Sequence, residues 1–214
     1  MHPSEETLLA LASGEADLPL RATVEGHLAS CPSCRTTLGE LTAAGGALLR
    51  GLAPAPPPDH LWQQVLARVT PGKPPAASAL DPLAALPLPE ETRRELPPLC
   101  SLRWRSAWTP KARYALLARE RATGSLLLVG HMPPGRYFPR HQHPGREDVL
   151  VLAGGYEDER GRYEAGEYAV YEPGSQHRPA TEPGEECWIL FRLEAPIRFL
   201  GWRGGLQRLL ASLP

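Results

Sequence analysis

The stretch "HLASCPSCR" (residues 27–35) places an imidazole and two thiols, His27, Cys31 and Cys34, within eight positions. These are zinc-ligand types. His27 and Cys31 are four residues apart, one helical turn, so they share a face. Pro32 cannot continue that helix but suits the first position of the next one. Cys34 then falls in a first turn, where free N–H groups favour the thiolate that binds metal. Three ligands converge on a helix–helix corner, and the fourth must come from elsewhere. His2 is favoured, because a first helix running back antiparallel to the second brings residue 2 beside residue 27. His60 is the rival, and a water in the fourth place would make the site catalytic. Two other readings of "CPSC" are a thioredoxin-like redox pair, which lacks its βαβ surround here, and inert corner cysteines.

A second set lies in "GRYFPRHQHPGREDVLVLAGG". His141 and His143 alternate on a strand and so point to one side; Glu147 has the same parity and rejoins them after the "PG" bend. His177 sits in the Gly/Pro turn of "GEYAVYEPGSQHRPA", where a neighbouring strand can deliver a fourth group. Three imidazoles and a carboxylate suit Zn, Fe, Mn, Ni or Cu, and affinity order alone does not choose among them. Gly135, His141, His143, Glu147 and Gly154 match the first cupin motif at its fixed positions. Gly166, Pro173, Gly174 and His177 resemble the second, with the proline one place late and Thr181 where the pattern has Asn.

The elements that must carry these groups change character along the chain. Residues 1–70 read as about four helices. Ser4 is an N-cap with Glu5 and Glu6 in the first turn, "PLRATVEGHLASC" and "PSCRTTLGELTAAGGALLRGL" follow, and "DHLWQQVLARV" carries a stripe of Leu61, Val65, Leu66 and Val69. Residues 71–98, Pro/Ala-rich, read as a semi-rigid linker. From residue 99 to 214, short β-branched and aromatic runs alternate with turns, as in an antiparallel barrel or sandwich, and "GGLQRLLASLP" reads as a terminal helix. The expected fold is therefore a two-domain α + all-β chain: a small zinc-stapled helical bundle, a Pro-rich linker and a cupin β-barrel.

Bulk properties limit the function. The 214 residues carry a net charge of −1, and residues 1–70 hold four Arg against seven Asp/Glu. That balance argues against direct nucleic-acid contact. No apolar run is long enough to span a bilayer, and the N-terminus lacks a basic cluster of the secretory kind. Four cysteines, two of them far apart, point to a reducing compartment. Cys100 and Cys187 read as buried small hydrophobes, and His131 as a strand-end residue outside the ligand set.

The order "HP…E.LL…ASGE…HL..CPSCR", Pro-rich linker, metal cupin closely resembles the ChrR-like zinc-dependent anti-sigma factors over nearly the whole chain. The resemblance implies that His2, His27, Cys31 and Cys34 ligate zinc, and that His141, His143, Glu147 and His177 hold zinc or another divalent metal. It further implies a cytoplasmic regulator, not an enzyme, that binds an extracytoplasmic-function sigma factor, with the cupin relieving inhibition under oxidative stress, singlet oxygen in particular. The residues alone add that helix four, with Trp62 beside its stripe, could insert into a partner's groove. The competing reading is a metal-dependent cupin enzyme, dioxygenase-like, with an accessory helical domain. A sugar- or ligand-binding cupin without catalysis is a third.

Overall fold

The computed structural model of the chain describes residues 2–58, 60–69, 88–106 and 112–200. Most of the Pro/Ala-rich stretch and the expected terminal helix lie outside them.

Helix α1 (Glu5–Ser13) starts at Ser4, whose hydroxyl accepts from the Thr7 N–H, and stops at Gly14, held at φ 78°. Helix α2 (Leu18–Ser30) starts at Asp17, which caps the Leu20 N–H at 2.9 Å, with Pro19 in the first turn. Helix α3 (Pro32–Arg50) begins at its proline, so Cys31 is at once the end of α2 and the cap position of α3. Arg35 donates to the Leu28 and Ala29 carbonyls at the end of α2, closing the corner. Helix α4 (Leu61–Val69) is apolar along one side. Within the stretch read as linker, Glu90–Glu95 form helix α5, which lies on α2 with Thr92 buried.

The β half is antiparallel. Strands β1 (Arg105–Ser106), β2 (Arg113–Arg119), β3 (Leu126–Met132), β9 (Cys187–Leu193), β5 (Glu147–Asp158) and β6 (Gly161–Glu164) follow one another across a sheet, and β7 (Tyr168–Tyr171) pairs with β5. A smaller sheet joins β10 (Arg198–Phe199), β4 (His141–Gln142) and β8 (Gln176–His177). Strand β5 bends over a bulge between Val151 and Ala153. Gly154, at φ 65°, ends that bend where a Cβ would stand 1.7 Å from the Glu186 carbonyl oxygen, so only glycine fits.

The large sheet is buried on both faces. Its inner face gathers Val149, Val151, Tyr156, Ala169, Tyr171 and Cys187 into the barrel core. Its outer face gathers Leu117, Leu127, Val129, Leu150, Tyr168 and Leu190, and these pack against Leu8, Ala22, Val24, Cys31 and Cys34 of the helices. Strand parity does the sorting: Val149 and Val151 face inward, and Leu150 between them faces the helices. The barrel wall thus supplies the second layer that three short helices cannot provide for themselves. No helix among the described residues is long and apolar enough to cross a membrane.

Candidate metal centres

The helical corner brings His2, His27, Cys31 and Cys34 together, one donor atom from each lying within 4.8 Å of the others. His2 Nδ1 is 3.3 Å from Cys31 Sγ and 3.4 Å from Cys34 Sγ. Zn–N and Zn–S bonds of about 2.0 and 2.3 Å at a tetrahedral angle place such atoms about 3.5 Å apart. His60 is exposed in the turn before α4 and outside the cluster, so between the two candidates the geometry gathers His2.

His27 shows how the corner is poised. Its Nδ1 lies 2.9 Å from the Gly166 carbonyl, which can only accept, so Nδ1 carries the proton. Nε2 is then a lone pair, buried, and without a hydrogen-bond partner. A buried acceptor left open costs free energy unless something fills it, and a metal ion would. The thiols are unequal. Burial raises Cys31, but hydrogen bonds from Ser33 and from the Cys34 N–H and thiol outweigh it and bring the thiol down to about 6. Burial and the neighbouring Cys31 sulfur push Cys34 up to about 11.

In the barrel, His141, His143, Glu147 and His177 converge in the same manner, all buried. β4 and β8 place His141 directly opposite His177. His141 donates from Nδ1 to the Pro139 carbonyl at 2.8 Å, and His177 Nδ1 is paired with Asp158 Oδ2 at 2.9 Å. Their Nε2 atoms face each other 3.0 Å apart, a distance that a hydrogen bond bridges when one ring carries a proton there and that a shared cation bridges when neither does. Such an arrangement suits a cation beside the two nitrogens. Glu147 Oε2 lies 3.5 Å from His143 Nε2 and 3.8 Å from His177 Nε2. Burial, with the charges of Asp148 and Asp158, raises Glu147 to about 8, while burial and His177 lower His141 to about 3 and His143 to about 4. His141 and His143 are thereby held neutral, the form that ligates. Both quartets fit a divalent metal ion.

Supporting residues lie beyond the sequence motifs. Asp158 accepts from Tyr171 at 2.6 Å as well as from His177, and Tyr171 stacks on His143. The barrel site opens into a cavity of about 430 Å³ whose walls are largely apolar, Phe138, Ile189, Phe191 and Phe199 among them. Cys187 lines it and is buried, as expected. Cys100 is exposed, against expectation, because its short 3₁₀ turn (Leu99–Ser101) runs along the surface. His131 stacks on Trp188 and pairs with Glu186, outside the ligand set. Thr181 is buried, with its hydroxyl bonded to the Pro133 carbonyl.

Asp148 is the residue sequence reading missed. It follows Glu147 on β5 and so points to the opposite face, fully buried, where Tyr168, Arg146 and Arg192 all bond its carboxylate at 2.9–3.1 Å. Arg146 continues to Thr7 of α1 at 3.0 Å, and Arg192 lies 3.6 Å from the α2 cap Asp17. Asp17 also accepts from Ser125 at 2.6 Å and Thr123 at 3.0 Å.

A helical corner packed on the wall of an antiparallel barrel, each gathering four side chains that could hold a metal ion, is the class of protein the fold defines. Comparison with known proteins gives its family. A family model for the ChrR cupin-like domain matches residues 98–196. The anti-sigma-E factor ChrR of Cereibacter sphaeroides is 32% identical over 200 residues, spanning 92% of this chain and 91% of that relative. The crystal structure of Rhodobacter sphaeroides SigE in complex with the anti-sigma ChrR contains a chain with TM-score 0.68 and 30% identity, over 90% of this chain and 97% of that one. An RmlC-like cupin protein from Ralstonia eutropha matches 52% of this chain and 82% of its own at 16% identity and TM-score 0.44. The chain belongs to the ChrR anti-sigma factor family.

Proposed function

We propose that the protein is an anti-sigma factor whose helical unit binds an extracytoplasmic-function sigma factor in the cytoplasm and withholds it from RNA polymerase. The observation that carries this reading is the apolar surface left on the helical unit of a chain from this family. On α4, Leu61, Trp62, Val65 and Leu66 are 39–67% exposed, and at the end of α3 and just beyond it, Leu48, Leu49 and Leu52 are 68–77% exposed. Amphipathic helices presenting such rows are fitted to a partner's groove. The relative crystallised with SigE supports the choice of partner. The acidic balance of residues 1–70 suits a protein partner better than phosphate.

In this reading His2, His27, Cys31 and Cys34 hold zinc as a structural pin for the α2–α3 corner. His141, His143, Glu147 and His177 hold zinc or another divalent transition metal. Bound there, zinc would supply Lewis acidity and a redox-active ion sensitivity to oxidants, the chemistry through which the barrel would sense oxidative stress, singlet oxygen included. The residues around it do the shaping: Asp158 and the Pro139 carbonyl orient two imidazoles, and a largely apolar wall lines the approach.

The test is co-expression of the full chain with an extracytoplasmic-function sigma factor from the same genome. The expected result is a stable complex on gel filtration and loss of sigma-dependent transcription in vitro. If no sigma factor binds, while the barrel turns over a small molecule with O₂, the protein is a cupin enzyme instead.

A further inference from the structure

The helical metal corner is completed by the barrel. Of the four clustered residues there, His27 alone has its second ring nitrogen committed to the other half of the chain, through the Gly166 carbonyl. The ring of Tyr168, two residues on, packs beside the same imidazole at 5.5 Å between centroids. Ser30 closes the contact, its hydroxyl lying 3.1 Å from the His27 carbonyl and 3.2 Å from that of Gly166. The approach is tight: a Cβ on Gly166 would stand 2.7 Å from Ser30 Oγ, and the backbone there is held at φ 88°. A partner that fixes the tautomer and orientation of a ligating histidine tunes the metal as strongly as many ligands do.

The geometry points to the turn at Gly166 as a positioning element for the helical metal site. Through it the barrel sets how firmly that site keeps its ion. The turn does not float. It leads into β7, which pairs with the Glu147 end of β5, and Tyr168 hydrogen-bonds Asp148, the neighbour of the barrel ligand Glu147. Movement of this stretch of wall shifts the carbonyl that His27 leans on. The barrel thereby has a direct physical hold on the pinned corner of the helical unit. This inference rests on the reading of His2, His27, Cys31 and Cys34 as a metal site.

The test uses the full chain loaded with cobalt(II), whose thiolate charge-transfer band reports the Cys31/Cys34 site and not the barrel quartet, which contains no sulfur. The rate at which excess chelator abolishes that band is compared among variants. Gly166→Ala, which drives the turn off α2, is expected to accelerate loss about tenfold or more. Gly184→Ala is the control: it imposes the same kind of strain (φ 90°) in a barrel turn with nothing within 4 Å of the added carbon, and should match wild type. Ser30→Leu parts the same contact from the helix side and should reproduce the acceleration even if Gly166→Ala does not fold. Wild-type rates in both Gly166→Ala and Ser30→Leu, or an equal acceleration in Gly184→Ala, overturn the inference while leaving the metal site intact. No thiolate band in wild type overturns the metal reading itself, and this inference with it.

Discussion

At the scale of single residues, the two four-residue clusters were legible because most of their members are neighbours in sequence. His27, Cys31 and Cys34 lie on one helix–helix corner, and His141, His143 and Glu147 on β4, the turn after it and the first residue of β5. What positions them was not legible. The bond from His27 to Gly166 joins residues 139 positions apart, and neither composition nor periodicity foretells it. Asp148 and Asp158 belong to no sequence motif, yet one anchors two arginines and the other orients His177. Two outcomes follow. Asp158→Asn removes the carboxylate from His177 and should weaken metal binding in the barrel by about 10- to 100-fold, read by competition with a chromogenic chelator. Asp148→Asn keeps the shape but leaves Arg146 and Arg192 facing a neutral group in a buried setting. It should lower stability by about 3 kcal/mol in urea unfolding.

At the scale of elements, the helix corner and the run of short strands could be read from proline positions and from alternation. The start of α2 was less legible, because Asp17 caps the helix while its other oxygen is bonded to the barrel. Helix α5 was hidden in a Pro/Ala-rich stretch, since only its packing on α2 distinguishes it from linker. Helix α4 is the element whose energetics bear on partner binding. Its nine residues are too few to be stable alone in water, so a partner that orders it must offer apolar contact in return. Trp62→Ala should then reduce affinity for the sigma factor by about 2 kcal/mol or more, measured by calorimetry, with little change in the unfolding curve of the free protein.

At the scale of the whole molecule, the two halves share one apolar core, although the sequence reads as two units joined by a linker. Leu8, Ala22 and Val24 are buried in the same cluster as Leu127, Leu150 and Leu190. A fragment ending near residue 85 should therefore still bind the sigma factor through its exposed rows, yet melt at lower temperature than the full chain and bind a hydrophobic dye when free. Metal analysis of freshly purified full chain should find two ions per chain, one lost on Cys31→Ala and the other on His141→Ala. The succession of Glu147 and Asp148 has a further consequence. One residue serves the interior and the next serves the seam, so a one-residue slip of β5 against β7 and β9 would exchange their compartments. The register of that strand is thus answerable to two clients at once, and a foreign cupin grafted behind this head would arrive with its back wall unprepared to receive it.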